Sequence, residues 1–61
     1  MEITATYAWK SNSGTENFKI ERLKSEAGEI LYRATYAFKK IYRQKTFKTY
    51  EEAMGFLCAQ Q

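Results

Sequence analysis

The chain has 61 residues, enough for one small domain that buries only about 60% of the surface its unfolded form exposes. Hydrophobic residues make up 44% and charged residues 28%, which excludes a disordered chain. One cysteine and no histidine exclude an internal disulfide and the usual zinc sites, and they predict a cytoplasmic protein. No apolar run approaches the roughly 20 residues of a membrane helix, so we expect no membrane partner. The missing histidine and single cysteine lead us to expect no metal, and we expect no other cofactor.

The first two segments alternate between apolar and polar residues, which is the pattern of half-buried strands. The first predicted strand, at about 2–9, has one predominantly apolar face: Ile3, Ala5, Tyr7 and Trp9. A Ser-, Asn- and Gly-rich loop separates it from a second predicted strand at about 18–24. A turn over 25–29 follows, where Gly28 can supply a positive φ.

Residues 30–47 fit two secondary structures. As a strand they present an unbroken apolar face: Ile30, Tyr32, Ala34, Tyr36 and Phe38. As a helix they present an apolar stripe: Ile30, Ala34, Ala37 and Ile41. The tyrosines and the absence of a capping residue favour strands. A tight turn at Lys39-Lys40 then gives strands at about 30–38 and 41–47, although a two-residue turn prefers Asn or Gly.

The C-terminal segment is predicted to be helical. Thr49 followed by Glu52 is a capping-box signature, in which the threonine accepts from a first-turn amide and the glutamate reaches back to the cap. Apolar residues then recur at helical spacing over about 50–59. So short a helix needs a sheet to pack on. The sequence therefore predicts a single α+β domain over 1–61, with an antiparallel meander of three to four strands under one helix.

Basic residues are concentrated in one stretch. Residues 30–48 contain six of the ten basic residues and no acidic one: Arg33, Lys39, Lys40, Arg43, Lys45 and Lys48. If Phe38 pairs with Ile41, the helix side receives Tyr32, Ala34, Tyr36, Phe38, Ile41 and Phe47. The open side then shows Arg33, Thr35, Tyr42, Gln44 and Thr46.

This arrangement suggests a nucleic-acid interface. Arginine and glutamine pair with guanine and adenine edges in the major groove, which suits Arg33 and Gln44. Basic side chains neutralise flanking phosphates. The candidate set is Arg33, Thr35, Lys39, Lys40, Tyr42, Arg43, Gln44 and Lys45. The alternative is an ordinary polar sheet surface whose charges protect an exposed strand edge.

Catalysis finds no support in the sequence. Helix capping accounts for Glu51 and Glu52, and no histidine is present to activate Cys58, which we expect to be buried in the helix. The three glycines are scattered rather than gathered into a phosphate-binding loop. We therefore expect a protein that is not an enzyme.

The stretch TFKTYEEA, residues 46–53, resembles the end of the arm-site DNA-binding domains of phage and transposon tyrosine integrases. Plant ethylene-response-factor domains share its Thr-Phe-x-Thr-x-Glu-Glu-Ala pattern. Both families fold as three antiparallel strands packed on a helix and lay the sheet in the major groove. The pattern extends over about 18–58, while the strand at 2–9 has no counterpart in the three-stranded fold. With no catalytic integrase domain after the helix, the resemblance implies a stand-alone accessory DNA-binding protein of phage or mobile-element type.

Three hypotheses follow. The first is a small protein that reads duplex DNA through its sheet. The second is a protein-interaction module, such as a small phage-type inhibitor or a self-associating subunit, that uses an exposed strand edge or the aromatic pair Tyr7 and Trp9. The third is a structural domain with no separable activity.

Overall fold

Four antiparallel strands and one helix form the fold in the computed structural model, which describes residues 1–60. The elements are β1 (Glu2–Lys10), β2 (Glu16–Lys24), β3 (Ile30–Phe38), β4 (Ile41–Phe47) and α1 (Tyr50–Cys58). Each strand pairs with its neighbours in sequence, so the sheet order is β1-β2-β3-β4 and its edges are β1 and β4. The predicted α+β meander with one C-terminal helix is confirmed. Within the described residues, no helix is long and apolar enough to cross a membrane.

The first two turns depend on glycines with positive φ. Gly14 has φ of 76° and donates its amide to the Ser11 carbonyl at 2.8 Å. Gly28 has φ of 87° and donates to the Ser25 carbonyl at 3.0 Å, as the turn prediction required. The Ser11 amide also bonds the Glu16 carbonyl at 3.0 Å, so β2 begins at Glu16, earlier than the predicted 18.

Residues 30–47 form the predicted hairpin. Phe38 lies opposite Ile41, and the pairing continues without a shift to Tyr32 opposite Phe47. The Lys39-Lys40 turn is achieved by Lys39 at φ of 55°, the one non-glycine residue with positive φ within 1–60. A positive φ at the first central residue is the feature of a type II′ turn, a position where glycine is preferred.

The core lies between the sheet and α1, which packs on β2, β3 and β4. Its buried residues are Phe18, Ile20, Ala34, Tyr36, Ala53 and Leu57. Trp9 packs against this cluster and stacks on Phe18, with ring centroids 5.6 Å apart. Trp9, Phe18 and Tyr36 therefore serve the core of a small domain, because each ring covers a large apolar area.

Thr49 caps α1, as predicted, and its Oγ1 accepts from the Glu52 amide at 3.2 Å. The second half of the capping box differs from expectation: the Glu52 carboxylate accepts a hydrogen bond from the Thr49 hydroxyl at 3.0 Å. The helix ends at Cys58 with Ala59 as its C-cap, close to the predicted end at 59.

Two packing predictions, for Ile3 and Cys58, are wrong. A bulge at Thr4 places Ile3 opposite Leu23 and Ala5 opposite Arg22, so Ile3 leaves the face that carries Tyr7 and Trp9. Ile41 lies opposite Phe38 on the helix side of the sheet, as predicted, but it stays 46% exposed beside the turn. Cys58 is exposed rather than buried.

Candidate nucleic-acid interface

The predicted site residues fall into two groups on the β3–β4 hairpin. The open face, opposite α1, carries Arg33, Thr35, Tyr42 and Gln44, since Arg33 pairs with Thr46 and Thr35 pairs with Gln44. The turn and the outer strand carry the remaining cations: Lys39, Lys40, Arg43 and Lys45. The two groups have different electrostatic environments.

Arg33 is an ion-paired side chain rather than a free surface cation. It lies opposite Glu21 on β2, and its Nη2 and Nε contact the Glu21 Oε1 at 2.8 and 2.9 Å. Glu21 is only 6% exposed, and Lys19 adds a longer contact to the same oxygen at 3.8 Å. A base contact by Arg33 would therefore have to compete with a nearly buried carboxylate.

Gln44 is also engaged within the sheet. Its Nε2 donates to the Thr35 Oγ1 at 3.0 Å and to the Tyr42 hydroxyl at 3.2 Å. Thr35 is 6% exposed, whereas Tyr42 is 65% exposed and stands out from the open face. The three side chains form a fixed polar surface, so a nucleic acid would meet a preformed arrangement here.

Among residues 1–60, the cations of the turn and outer strand have no acidic partner. Both ion pairs within residues 1–60 are made by Glu21, with Lys19 and Arg33. Lys39, Lys40, Arg43 and Lys45 are all exposed. The Lys39 Nζ lies 5.2 Å from the Phe38 ring centroid and the Lys45 Nζ lies 5.5 Å from that of Phe47. Each of these two ammonium groups thus lies over an aromatic ring within the range of a cation–π contact.

Tyr36 is a buried core residue that lies opposite Arg43, one of these cations. Its hydroxyl donates to the Glu16 Oε2 at 2.8 Å. Burial of the ring raises the pKa of Tyr36 above its usual value, and the bond to the Glu16 carboxylate and its charge add to this, against the opposing charge of Arg43. Tyr36 is therefore protonated near neutral pH, and its hydroxyl links β3 to Glu16 at the start of β2.

Two cations on the open face were missed by sequence reasoning. A hollow of about 400 Å³ lies on that face, and its lining includes Lys10, Lys19, Ala37 and Tyr42. Lys10 and Lys19 come from β1 and β2, outside the basic stretch of residues 30–48. The register of these strands would have located them, because Lys19 pairs with Thr35 across the sheet.

Within residues 1–60 the arrangement places unpaired cations at the turn and on the helix side of β4, while the polar surface of Thr35, Tyr42 and Gln44 lies on the opposite face of the hairpin. No protein-family model matches the chain, and comparisons with curated proteins and with solved structures find no significant match.

Proposed function

We propose that this protein binds duplex DNA through the β3–β4 hairpin, with phosphate contacts providing most of the affinity. One observation carries the proposal: four cations are exposed on one strand and its turn with no acidic partner in the described part of the chain, namely Lys39, Lys40, Arg43 and Lys45. Clustered cations of this kind release counterions from DNA when they neutralise phosphates.

On this proposal Arg33 and Gln44 do not act as free side chains that read base edges, because both are already hydrogen-bonded within the sheet. Arg33 is held by Glu21, and Gln44 is held by Thr35 and Tyr42. These side chains would present a shaped polar surface to the groove, while Tyr42 remains free to contact a base or sugar. Sequence preference should accordingly be weak, and salt dependence should be strong.

The test is titration of a labelled random-sequence duplex at several salt concentrations, followed by fluorescence anisotropy. Lys40→Ala and Lys45→Ala should each weaken binding on all sequences and reduce the slope of log K against log salt by about one unit. Lys24→Ala is the matched control, because Lys24 is exposed at the far end of β2, opposite Ile30.

Thermal unfolding of all three variants checks that folding is unchanged. Failure of the wild-type protein to bind duplex DNA at low salt contradicts the proposal. So does an equal loss in Lys24→Ala, since the effect would then follow net charge rather than this site.

A second candidate function, protein interaction, is favoured by a different surface. The edge strand β1 has no neighbouring strand on its outer side, and α1 packs on the other three strands, touching β1 through the contact of Tyr50 with Tyr7.

A further inference from the structure

We infer that β1 is a self-association edge, on which a second copy of this chain pairs its own β1 antiparallel to form a continuous eight-stranded sheet. An edge strand exposes a row of unpaired amides and carbonyls, and proteins usually protect such edges with charges, proline or bulges. The inference concerns a different surface from the proposed DNA interface and does not depend on it.

The residues of β1 leave most of this edge unprotected. Between Glu2 and Lys10 the strand has no charged residue and no proline. Its bulge lies at Thr4, where the hydroxyl donates to the Arg22 carbonyl at 3.3 Å, so protection is confined to the N-terminal end. From Ala5 to Lys10 the pairing with β2 is regular, and this part can accept another strand.

The charges select a second copy at β1 rather than at β4. Antiparallel self-pairing of β4 about Gln44 would place Arg43 directly opposite Lys45 of the other copy, twice per interface. Like charges directly opposite one another destabilise a strand pair. Self-pairing of β1 brings no such charges together, because residues 3–9 are uncharged.

The side chains of β1 are also complementary to themselves. The uncharged residues 5–9 of the regular part are centred on Tyr7, and a two-fold axis there sets Ala5 opposite Trp9 of the second copy and Thr6 opposite Ala8. Large residues thus meet small ones, and the two Tyr7 rings meet at the axis. Tyr7 is 46% exposed in the single chain, although its ring touches Tyr50 at a centroid distance of 5.8 Å.

This pairing produces a closed dimer. A two-fold interface uses the same edge of both copies, so both β1 edges are consumed. The edges that remain are the two β4 strands, whose cations repel one another and resist further addition. The DNA-binding surface proposed above stays exposed on both outer strands.

The test is sedimentation equilibrium over a range of protein concentrations. The wild-type chain of 7.2 kDa should approach twice that mass as concentration rises. Thr6→Lys/Ala8→Lys should be monomeric, because the new lysines face one another across the axis, and Thr6→Glu/Ala8→Glu should be monomeric for the same reason. An equimolar mixture of the two variants should recover the dimer. Thr46→Lys, an exposed open-face position on the other edge, should leave the dimer unchanged.

Several outcomes overturn the inference: a wild-type monomer at every concentration, a dimer that survives the paired lysines, or variants that do not associate when mixed. Circular dichroism establishes whether each variant folds. If they do not fold, hydrogen exchange of the wild-type protein at two concentrations decides the question. Protection of β1 amides that increases with concentration supports the pairing, and unchanged protection refutes it. DNA binding is measured separately, so either result leaves the proposed function to its own test.

Discussion

Glu21 and Arg33 lie directly opposite each other on β2 and β3, and two guanidinium nitrogens contact one carboxylate oxygen at 2.8 and 2.9 Å. The pair lies on the open face of the sheet, where the carboxylate is nearly buried and the guanidinium is partly exposed. A buried carboxylate without a cation is costly, so the arginine has a structural role at this position. The cation that the sequence offers as a base reader is thus already bound within the protein.

Arg33→Met should therefore lower the free energy of unfolding by about 1–3 kcal/mol, through loss of hydrogen bonds to a nearly buried charge. Lys19, 3.8 Å from the same oxygen, limits the loss by moving closer. Denaturant midpoints measure the effect. Arg43→Met is the matched control, since Arg43 is exposed and such surface changes usually stay within about 0.5 kcal/mol.

A double-mutant cycle with Glu21→Gln isolates the interaction. We expect Glu21→Gln/Arg33→Met to be more stable than the sum of the single changes implies, because both partners of the pair are removed together. Strict additivity would mean that the two groups do not interact in solution.

The two lysines of the β3–β4 turn should respond differently to replacement by glycine. Lys39 adopts φ of 55°, and residues with a Cβ pay about 1–2 kcal/mol for the left-handed region. Lys39→Gly should raise the free energy of unfolding by about 0.5–1 kcal/mol, because the greater freedom of glycine in the unfolded chain offsets part of the relief. Chemical denaturation provides the measurement.

Lys40→Gly is the comparison for this turn. The Lys40→Gly substitution removes the same charge from the same turn as Lys39→Gly, but Lys40 does not have a positive φ. It should lower stability by about 0.5–1 kcal/mol, as glycine does where its freedom is not needed. If the two glycine variants behave alike, the turn does not hold Lys39 in the left-handed region.

The hairpin and helix were predictable because local signals agreed with one another. Period-two alternation on both sides of Lys39-Lys40 fixed which side chains share a face, and the Thr49 cap fixed where β4 must end. The pairing of Phe38 with Ile41 follows from these two constraints, and the structure has it.

The ion pair and the bulge were not predictable in the same way. The register of β2 against β3 depends on the closure of the 25–29 turn, which aligns Lys24 with Ile30 and hence Glu21 with Arg33. Nothing local marks Glu21 as a buried residue. At Thr4 every neighbouring residue suits either face of a strand, so only the pairing with β2 reveals the bulge. The hairpin that carries the candidate residues was therefore predicted with the right register, but which of its side chains are already paired within the protein required the tertiary structure.

The contribution of the Thr49 hydroxyl to the N-terminal cap of α1 can be tested by substitution. Thr49→Ala removes the acceptor of the Glu52 amide and should lower the free energy of unfolding by about 0.5–2 kcal/mol. Thr49→Ser retains a hydroxyl at the same position and should remain near the wild type. Thermal unfolding of the three proteins compares them. Equal melting temperatures for the alanine and serine variants would show that the side-chain cap contributes nothing.

The Tyr36 hydroxyl predicts how stability depends on alkaline pH. Burial of the ring and the Glu16 carboxylate raise the pKa of Tyr36 in the folded protein. Above pH ~10 a tyrosine of the unfolded chain loses its proton while Tyr36 keeps it, so the folded state binds more protons than the unfolded state. The contribution of Tyr36 to stability is therefore complete below about pH 10 and is lost as the pH rises toward the folded-state pKa.

The measurement is the free energy of unfolding between about pH 9 and 11, taken from urea midpoints of the wild type and Tyr36→Phe. The wild type should lose stability more steeply over this range, because the phenylalanine variant has no proton to release at this position. Tyr42→Phe is the control, since the Tyr42 hydroxyl lies on an exposed side chain that bonds Gln44. Tyrosinate absorbance provides an independent check: in the folded wild type one tyrosine should ionise later than the others, and Tyr36→Phe should remove that late step. If the late step persists in Tyr36→Phe, another tyrosine is responsible and the hydroxyl–carboxylate contact does not have the predicted effect.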